Sequence, residues 1–437
     1  MTEKDYSGKK VAFYTLGCKL NFAETSSMAR QFEELGFERV EYTDQADVYI
    51  INSCTVTAES DKKSRNLIRS AMKRNPDALM MVTGCYAQLK SDEIARFEEV
   101  DYVLGSGEKN NITAYINDLQ KNHQAIIRVT DHRKIKNFFS AYSYGDRTRT
   151  FLKVQDGCNY FCTFCTIPMA RGMSRNDSIA NTIAEARQIA AKGIKEIILT
   201  GVNIGDFGRS TGETFFDLVK ALDQVEGIER IRISSVEPNL LTNEIIEFVA
   251  ESKRIVPHFH LPLQAGSDEV LKLMKRKYTT ELFASRVEKI KSLMPDAFIG
   301  VDVIAGTNGE TDELFAQSYQ FIANLDVSQL HVFPYSERPG TFALKIPGKV
   351  PVVVRKERVQ RYIELSERKH NMFYHSQLGT TRAVLFEHQS KNNRMFGWTD
   401  NYVRVEVPYN EELVNCVRTF KLETINNEGH VEGKIIN

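Results

Sequence analysis

Short apolar runs alternate with amphipathic stretches through the first 130 residues of the chain. Residues 11–16, 48–52 and 79–83 are mostly apolar, as expected for strands buried on both faces of a parallel sheet. Apolar residues recur at helical spacing in the intervening segments, from about residue 21 to 35 and from about residue 59 to 74. This alternation of strand and helix predicts an α/β domain with a parallel, flavodoxin-like sheet over residues 8–130.

The same alternation resumes after a connector and continues over residues 149–377. Six strands are predicted, at residues 151–154, 196–200, 230–234, 258–263, 298–304 and 329–334. Helical patterns lie between them, at residues 179–192, 243–251, 281–293 and 311–325. Six strand–helix units predict a partial, open TIM-like (βα)6 barrel, whose functional residues should lie at the carboxyl ends of the strands.

The last segment, residues 378–437, has the pattern of a small β-barrel. Residues 381–386, 401–407 and 418–423 alternate between polar and apolar positions, and turn signals occur at Asn392-Asn393 and Asn426-Asn427. The chain is therefore expected to contain three domains, at 8–130, 149–377 and 378–437, with residues 131–148 as a connector.

Composition changes this picture only modestly. Lys plus Arg and Asp plus Glu both number 57, so any contact with nucleic acid must come from local basic patches. No secretory leader pattern opens the sequence, and no apolar run approaches the roughly 20 residues of a membrane helix. We expect a cytoplasmic, monomeric protein with no membrane contact, whose seven cysteines are reduced.

Three of those cysteines, Cys158, Cys162 and Cys165, lie in one loop and are separated by three and then two residues. This spacing can hold three corners of a cubane iron–sulfur cluster and leave the fourth iron without a protein ligand. A structural zinc site would need a fourth ligand, and no further Cys or His lies near this loop. The loop therefore predicts a cluster with an open iron that can bind a substrate.

A second set, Cys18, Cys54 and Cys85, is dispersed in the sequence but occupies one repeated structural position. Each cysteine comes just after the carboxyl end of a predicted parallel strand, where ligands of open parallel sheets gather. The set therefore predicts a second three-cysteine cluster. The alternative is that each thiol is a small buried hydrophobic group, which is also the expectation for Cys416.

Polar residues and glycines follow several of the predicted barrel strands. They lie at residues 200–203, 234–237, 260–267, 306 and 309, where a barrel of this kind places its site. Glycines and hydroxyls also serve turns and helix caps, so both interpretations stay open for each of them.

Together these motifs resemble the radical SAM superfamily and, within it, the methylthiotransferases, over nearly the whole chain. The resemblance implies two 4Fe-4S clusters, one on Cys158, Cys162 and Cys165 that chelates S-adenosylmethionine, and an auxiliary one on Cys18, Cys54 and Cys85. It also implies contacts to the cofactor or substrate from residues matching the family's motifs, namely Phe164, Thr200, Gly201, Val202, Asn203, Ser235, Glu237, Gln264, Ile304 and Gly306.

The resemblance also implies a reaction. Reductive cleavage of S-adenosylmethionine, with electrons from a reductase such as flavodoxin or ferredoxin, would lead to methylthiolation of an unactivated carbon, for which no general base is assigned. Residues 17–21 and 147–149 look most like the subgroup that acts on carbon 2 of N6-threonylcarbamoyladenosine at position 37, in the anticodon stem-loop of tRNA. Other subgroups act on isopentenyl-adenosine in tRNA or on an aspartate of a small-subunit ribosomal protein.

The sequence departs from the family pattern at two places. Met169 stands where an aromatic residue is common, and residues 307–310 read Thr-Asn-Gly-Glu where Phe-Pro-Gly-Glu is frequent. These departures leave the cysteine ligands intact and put the adenine and substrate contacts in doubt.

RNA contacts are expected from two basic and aromatic stretches, one in the connector and one in the last domain. The last domain resembles the family's TRAM domain, although it has seven basic against eight acidic residues. The alternative for the connector is that its aromatic residues join the first domain to the barrel, and both roles can coexist. The candidate RNA-binding residues are Arg133, Lys134, Lys136, Arg147 and Arg149 in the connector, and Lys391, Arg394, Trp398 and Arg404 in the last domain.

Overall fold

The protein was analysed as a computed structural model that describes residues 5–55, 57–116, 119–145 and 147–436. The first unit is a six-stranded sheet in the order β2-β1-β3-β4-β5-β6, and all of its strand pairs are parallel. The predicted parallel α/β domain is confirmed. Its elements are β1 (Lys10–Thr15), α1 (Lys19–Glu34), β2 (Glu38–Val40), β3 (Val48–Ser53), α2 (Ala58–Arg74), β4 (Leu79–Gly84), α3 (Cys85–Leu89), α4 (Ser91–Ile94), β5 (Tyr102–Leu104) and β6 (Ile126–Arg128).

The second unit is the predicted open barrel, preceded by a short antiparallel strand from the connector. Strands β8 to β13 run parallel in chain order, and isolated bridges such as Ser235 to His260 link β10 to β11. Its elements are β7 (Ala141–Tyr142), β8 (Thr150–Lys153), α5 (Ile167–Arg171), α6 (Ile179–Ala191), β9 (Glu196–Thr200), α7 (Phe215–Asp223), β10 (Arg230–Ile233), α8 (Asn243–Glu251), β11 (His258–Gln264), α9 (Asp268–Leu273), α10 (Thr280–Leu293), β12 (Phe298–Ala305), α11 (Asp312–Asn324), β13 (Gln329–Pro334) and α12 (Val352–Gln377).

The two faces of the barrel strands differ in chemistry. Along β12, Val301 and Val303 pack into the apolar core shared with the surrounding helices. The alternate positions face inward, where His260 Nε2 lies 2.7 Å from Asp302 Oδ1 and the His260 ring lies 5.0 Å from the ring of His331. The period-2 alternation of strands thus gives the barrel a polar inner face behind an apolar outer layer.

The third unit is a closed five-stranded barrel in the order β14-β15-β16-β18-β17. The predicted turn at Asn392-Asn393 joins β14 to β15, with φ angles of 52° and 58°. The sequence pattern does not predict β15 or β18. Each contains a glycine, and glycine within a run of strand-forming residues is usually interpreted as the end of a strand. The elements are β14 (Thr381–Lys391), β15 (Arg394–Thr399), β16 (Arg404–Pro408), β17 (Val417–Ile425) and β18 (Val431–Ile435).

Both glycines are required by close packing. A Cβ on Gly397 would lie 2.5 Å from Val384 Cγ1, and one on Gly433 would lie 1.9 Å from the carbonyl oxygen of Lys421. Close approach of neighbouring strands, rather than a break in the sheet, explains them. Among the helices of the described residues, none combines the length and the apolar character needed to cross a membrane.

Candidate active site

The loop after β8 holds Cys158, Cys162 and Cys165 in a tightly specified conformation. Gly157 has a φ of +72°, and a Cβ there would lie 2.0 Å from the carbonyl oxygen of Met173, so only glycine fits. The Cys158 N–H donates to the Gly172 carbonyl at 3.0 Å, and the Cys165 N–H donates to the Cys162 carbonyl at 3.0 Å. The backbone of the loop is therefore fixed by contacts within the loop and with Gly172 and Met274 outside it.

Hydrogen-bond donors reach each of the three sulfurs. The Tyr160 N–H lies 3.4 Å from Cys158 Sγ, and the Ile167 N–H lies 3.4 Å from Cys165 Sγ. Nη1 of Arg276 lies 2.9 Å from Cys162 Sγ, and its other terminal nitrogen is paired with Glu237. Donors of this kind stabilise thiolates, the form in which cysteine binds a metal.

Burial raises the pKa of Cys158 and that of Cys165 to about 12. It also raises the pKa of Cys162, where the positive charge of Arg276 opposes it. At neutral pH the thiols are therefore protonated, and metal binding displaces the protons.

Fold topology brings together the second set, Cys18, Cys54 and Cys85. Cys18 is the N-cap of α1, Cys54 follows β3, and Cys85 begins α3 directly after β4. A Cβ on Gly17 would lie 2.8 Å from Cys54 Sγ, so the loop of Cys18 runs directly past the Cys54 thiol. Burial raises the pKa of Cys85, and Cys18 is close enough to add to that effect.

The glycines before Cys18 and Cys85 make this approach possible. Gly17 and Gly84 both have a φ of +97°, in the region that L side chains rarely adopt. A Cβ on Gly84 would lie 2.3 Å from the carbonyl oxygen of Ser53, the residue before Cys54. Three loops that are distant in sequence therefore meet at the carboxyl edge of the sheet, as the strand-end argument predicts.

A buried ionic network joins the two sets of cysteines. Glu24 on α1 lies 2.5 Å from Lys109 Nζ, 2.7 Å from Lys153 Nζ and 2.9 Å from Arg171 Nη1. Arg171 also contacts Asp156, just before Cys158, at 2.9 Å. The network holds α1, which starts beside Cys18, against both ends of the barrel's cysteine loop.

A cavity of about 210 Å³ opens beside Cys165 at the carboxyl ends of the barrel strands. It contains three of the predicted cofactor contacts, Phe164, Gln264 and Ile304. Thr57, three residues after Cys54, lines it from the first domain. The cavity is thus lined by the barrel's cysteine loop and by the segment that follows Cys54, and we call it the strand-end cavity.

The predicted contacts at residues 200–203 are held to the cysteine loop by Gln155, which the sequence did not single out. Gln155 Oε1 accepts the N–H groups of Val202 at 3.0 Å and Asn203 at 2.8 Å, while its Nε2 donates to the Gly157 carbonyl at 2.7 Å. A Cβ on Gly201 would lie 2.9 Å from the Gln155 carbonyl oxygen. Thr200 ends β9 and is buried.

Other predicted contacts have structural partners. Ser235 bridges to His260, and Glu237 pairs with Arg276 beside Cys162. Gly306 packs against α12, where a Cβ would lie 2.3 Å from Arg355 Cγ. Gly306 and Ser235 are not among the lining residues of the strand-end cavity, whereas Glu237 is linked to the cysteine loop through Arg276.

The candidate RNA-binding residues fall into separate groups. Arg133 is exposed and paired with Asp131, and Lys134 and Lys136 are exposed beside it. Lys391 is exposed at the turn after β14, whereas Arg394 is held by Glu406 at 2.8 Å.

Arg149 and Arg404 both lie against the ring of Trp398, at 5.2 Å and 5.8 Å from its centroid. Arg147 lies over Phe22 at 5.1 Å. The connector's aromatic residues pack between the domains, with Phe138 and Phe139 beside the Lys153 ammonium at 5.2 Å and 5.5 Å. The joining role of the connector is therefore present in the structure.

Comparison with known proteins agrees with this architecture. Residues 10–105 match the model of the uncharacterized protein family UPF0004, and residues 152–322 match that of the radical SAM superfamily. Among solved structures, the radical S-adenosylmethionine methyltransferase TsrM of Kitasatospora setae superposes with a TM-score of 0.56 at 14% identity, covering 75% of each chain. That likeness shows the fold alone. The class, a radical SAM protein, rests on the family model that residues 152–322 match.

Curated relatives are more specific. The threonylcarbamoyladenosine tRNA methylthiotransferase of Bacillus subtilis is 41% identical over 94% of this chain and 93% of its own, and that of Aquifex aeolicus is 38% identical over 94% and 99%. The tRNA-2-methylthio-N(6)-dimethylallyladenosine synthase of Protochlamydia amoebophila is 30% identical over 95% and 94%. The chain belongs to the radical SAM methylthiotransferase family.

Membership of this family implies S-adenosylmethionine and a 4Fe-4S cluster. The residues present fit that requirement. Three thiols with aimed donors supply three iron ligands. The buried side-chain amide of Asn203 makes no close hydrogen bond among the described residues. Burial raises the pKa of Tyr160, and the Asn203 amide is near enough to oppose that rise, so polar capacity is left for a ligand at the end of β9.

Proposed function

We propose that the protein methylthiolates carbon 2 of N6-threonylcarbamoyladenosine at position 37 of tRNA. The observation that carries the proposal is the presence of two three-cysteine sets, one in a single loop and one gathered from three strand ends, which the buried contacts of Arg171 with Glu24 and Asp156 join. An electron carrier would need clusters closed by four ligands, whereas two open sites suit two reacting partners. The names of the relatives with the higher identities support the choice of substrate.

We assign one 4Fe-4S cluster and S-adenosylmethionine to Cys158, Cys162 and Cys165, and a second, sulfur-presenting cluster to Cys18, Cys54 and Cys85. When bound, these groups supply the radical and sulfur chemistry that an unactivated C–H bond requires. The contribution of the chain is to position the groups and to exclude water from them.

Each assigned role follows from a contact. Arg276, held by Glu237, places a positive charge 2.9 Å from Cys162 Sγ and so stabilises the thiolate. Gln155 fixes the loop of Val202 and Asn203 against the cysteine loop, which leaves the Asn203 amide to orient the cofactor. No general base is assigned, because a reaction limited by alignment does not require one.

The substrate reaches the site as part of an anticodon stem-loop. Exposed cations of the connector, Lys134 and Lys136, and Lys391 of the last barrel are proposed to meet phosphates. Arg394 is expected to contribute less, because Glu406 and Glu432 already neutralise its charge. A one-electron reductase of the flavodoxin or ferredoxin class is proposed as donor to a monomeric enzyme.

Mass spectrometry of nucleosides from bulk tRNA tests the proposal directly. Deleting the gene is expected to remove 2-methylthio-N6-threonylcarbamoyladenosine and to leave its unthiolated precursor. Wild type should restore the product and Cys158→Ala should not. Cys416→Ala is the matched control. This thiol lies in the last barrel, and its Sγ donates to the Glu412 carbonyl oxygen of the same loop at 3.3 Å.

Two outcomes would redirect the proposal. Loss of the methylthio group from isopentenyl-adenosine instead would keep the chemistry and change the substrate. An unchanged tRNA profile, with loss of the modified aspartate from a small-subunit ribosomal protein, would move the reaction to protein.

A further inference from the structure

A second cavity, also of about 210 Å³, lies where the three domains meet the connector, and no role described so far uses it. Its charged lining is entirely basic and comes from Lys19, Arg147, Arg149 and Arg232, with Phe151 and Tyr402 among its rings. We call it the cationic cavity. Gly17 also lines it, so it adjoins the loop of Cys18.

The acids near this cavity do not balance its cations. Arg232 lies 3.0 Å from Glu196, a carboxylate that it shares with Arg230, also at 3.0 Å. Arg149 is 3.2 Å from Glu387 and 4.0 Å from Glu196. Glu196 and Glu387 are thus the acids that pair directly with these arginines, while Asp400, which Arg382 shares, and Asp302 act on Arg230 and Lys19 from farther away.

Lys19 is the unusual member of the set. Its side chain is half-buried, and within the described parts of the chain its ammonium forms no close ion pair or hydrogen bond, although Asp302 attracts it from farther away. The other half-buried or buried lysines of the junction differ, since Lys109 and Lys153 each lie within 2.7 Å of Glu24. A desolvated cation without a counterion is costly unless a ligand supplies the anion.

The position of the cavity relates it to the reaction. Arg232 lies within β10 and His258 begins β11, whereas Gln264 and Ile304 of the strand-end cavity lie at or near the ends of their strands. Lys19 directly follows Cys18 in sequence. A base seated beside the auxiliary cysteines can therefore extend a side chain toward the cationic cavity.

The proposed substrate carries an anion on its N6 substituent, away from the reacting carbon 2. The threonylcarbamoyl group leaves the adenine at N6 through a urea and ends in a free carboxylate, whereas the isopentenyl group is an uncharged hydrocarbon. We propose that the cationic cavity binds the carboxylate of the threonylcarbamoyl side chain, with Lys19 as its direct partner, and thereby selects against adenosines with uncharged N6 substituents. This inference rests on the proposed function.

The contact between the substrate carboxylate and the cationic cavity would increase substrate specificity through electrostatics. A carboxylate forms charge-assisted hydrogen bonds with Lys19 and with the arginines behind it, and the rings around them exclude water. An uncharged substituent would leave these cations without an anion, so it is rejected as well as bound less tightly. Discrimination of roughly tenfold to a hundredfold is expected from one such charged contact.

The test uses two synthetic anticodon stem-loop RNAs that differ only in the threonyl group, present as the free acid or as its primary amide. Fluorescence anisotropy measures binding of each to the cluster-loaded protein under anaerobic conditions without S-adenosylmethionine. Wild type should bind the acid roughly tenfold to a hundredfold more tightly than the amide. Lys19→Gln should lose most of that ratio by weakening the acid alone, and Lys19→Arg should keep part of it.

Lys220→Gln is the matched control, because Lys220 lies on α7 and pairs at the surface with Asp217. It should leave the ratio unchanged. Circular dichroism and iron content establish that each variant is folded and loaded. Equal binding of acid and amide by wild type, or equal weakening of both by Lys19→Gln, would overturn the carboxylate contact.

The failure of this inference differs from failure of the proposed function. If wild type thiomethylates the threonylcarbamoyl RNA yet binds acid and amide equally, only the carboxylate contact is wrong. If wild type leaves that RNA unmodified and binds it no better than an RNA with unmodified adenosine, both are wrong.

Discussion

The two cysteine sites of this protein are built by different means. Cys158, Cys162 and Cys165 are close in sequence and belong to one loop, which Gly172 and Met274 also anchor through backbone hydrogen bonds. Cys18, Cys54 and Cys85 meet only because β1, β3 and β4 are parallel neighbours whose ends coincide. The first site is thus a local property of the sequence, and the second is a property of the folded sheet.

The sharpest way to separate the sites is to remove one ligand from each. Cys162→Ala should abolish cleavage of S-adenosylmethionine, because the cofactor loses its cluster. Cys54→Ala should leave cleavage intact and abolish thiomethylation. Anaerobic assays that measure methionine release and methylthio-nucleoside in the same reaction check both results. Equal cleavage by wild type and Cys162→Ala would contradict the assignment, and loss of cleavage in Cys54→Ala would mean that the sites are not independent.

The next largest effect should come from the network that couples the sites. Burial alone would raise the pKa of Glu24, but Arg171, Lys109 and Lys153 outweigh it and hold this pKa well below its usual range. Glu24→Gln leaves those cations buried without their shared anion, and the loss of stability should be roughly 3–5 kcal/mol.

The pH dependence of stability follows from the sign of this shift. Because Glu24 binds a proton more readily in the unfolded chain, its contribution is complete above about pH 4.3, its unfolded pKa, and is lost as pH falls further. Calorimetric melting temperatures between pH 7 and pH 3 should therefore fall more steeply for wild type than for Glu24→Gln. Parallel curves would show that Glu24 is not held as an ion in the folded protein.

A smaller change should distinguish the fold-dependent site from the local one. Gly84→Ala places a Cβ 2.3 Å from the Ser53 carbonyl oxygen and should cost roughly 1–3 kcal/mol, displacing the loop of Cys54. Iron content should fall from about eight toward about four atoms per chain, with cleavage of S-adenosylmethionine retained. Gly193→Ala is the control, because its φ of +78° is similar but nothing lies within 4 Å of the new Cβ. Full iron content in Gly84→Ala would contradict the dependence on packing.

The smallest predicted effect concerns the local site alone. Arg276 holds a positive charge beside Cys162. Arg276→Met should therefore make the cluster there harder to reduce and lower its midpoint potential by roughly tens of millivolts. Redox titration followed by electron paramagnetic resonance measures this potential. An unchanged potential would show that the guanidinium does not act on that cluster.

Much of the fold could be predicted from the sequence because its elements have strong periodicity. The predicted strands at residues 196–200 and 329–334 coincide with β9 (Glu196–Thr200) and β13 (Gln329–Pro334). The convergence of the dispersed cysteines also followed from strand ends, since parallel neighbours share an edge.

Residues whose role depends on tertiary contacts could not be found in this way. Arg276 lies in the run Lys275-Arg276-Lys277, which has the pattern of a solvated charged face, but the fold turns its guanidinium toward Cys162. Gln155 looks like an ordinary residue after a strand, and Lys19 stands out only as part of the segment around the first cysteine, with no role of its own. The proximity of other charges, rather than any local pattern, makes these side chains distinctive.

The alternation of polar and apolar faces along the strands of the open barrel limits which insertions this enzyme can tolerate during evolution. On β12, Asp302 lies on the polar inner face, and Val301 and Val303 lie in the helix-packed core. One inserted residue within the strand would exchange these faces and carry the carboxylate into the apolar layer. Length variation among relatives should therefore accumulate between the strands, while each strand keeps its parity even where its residues diverge.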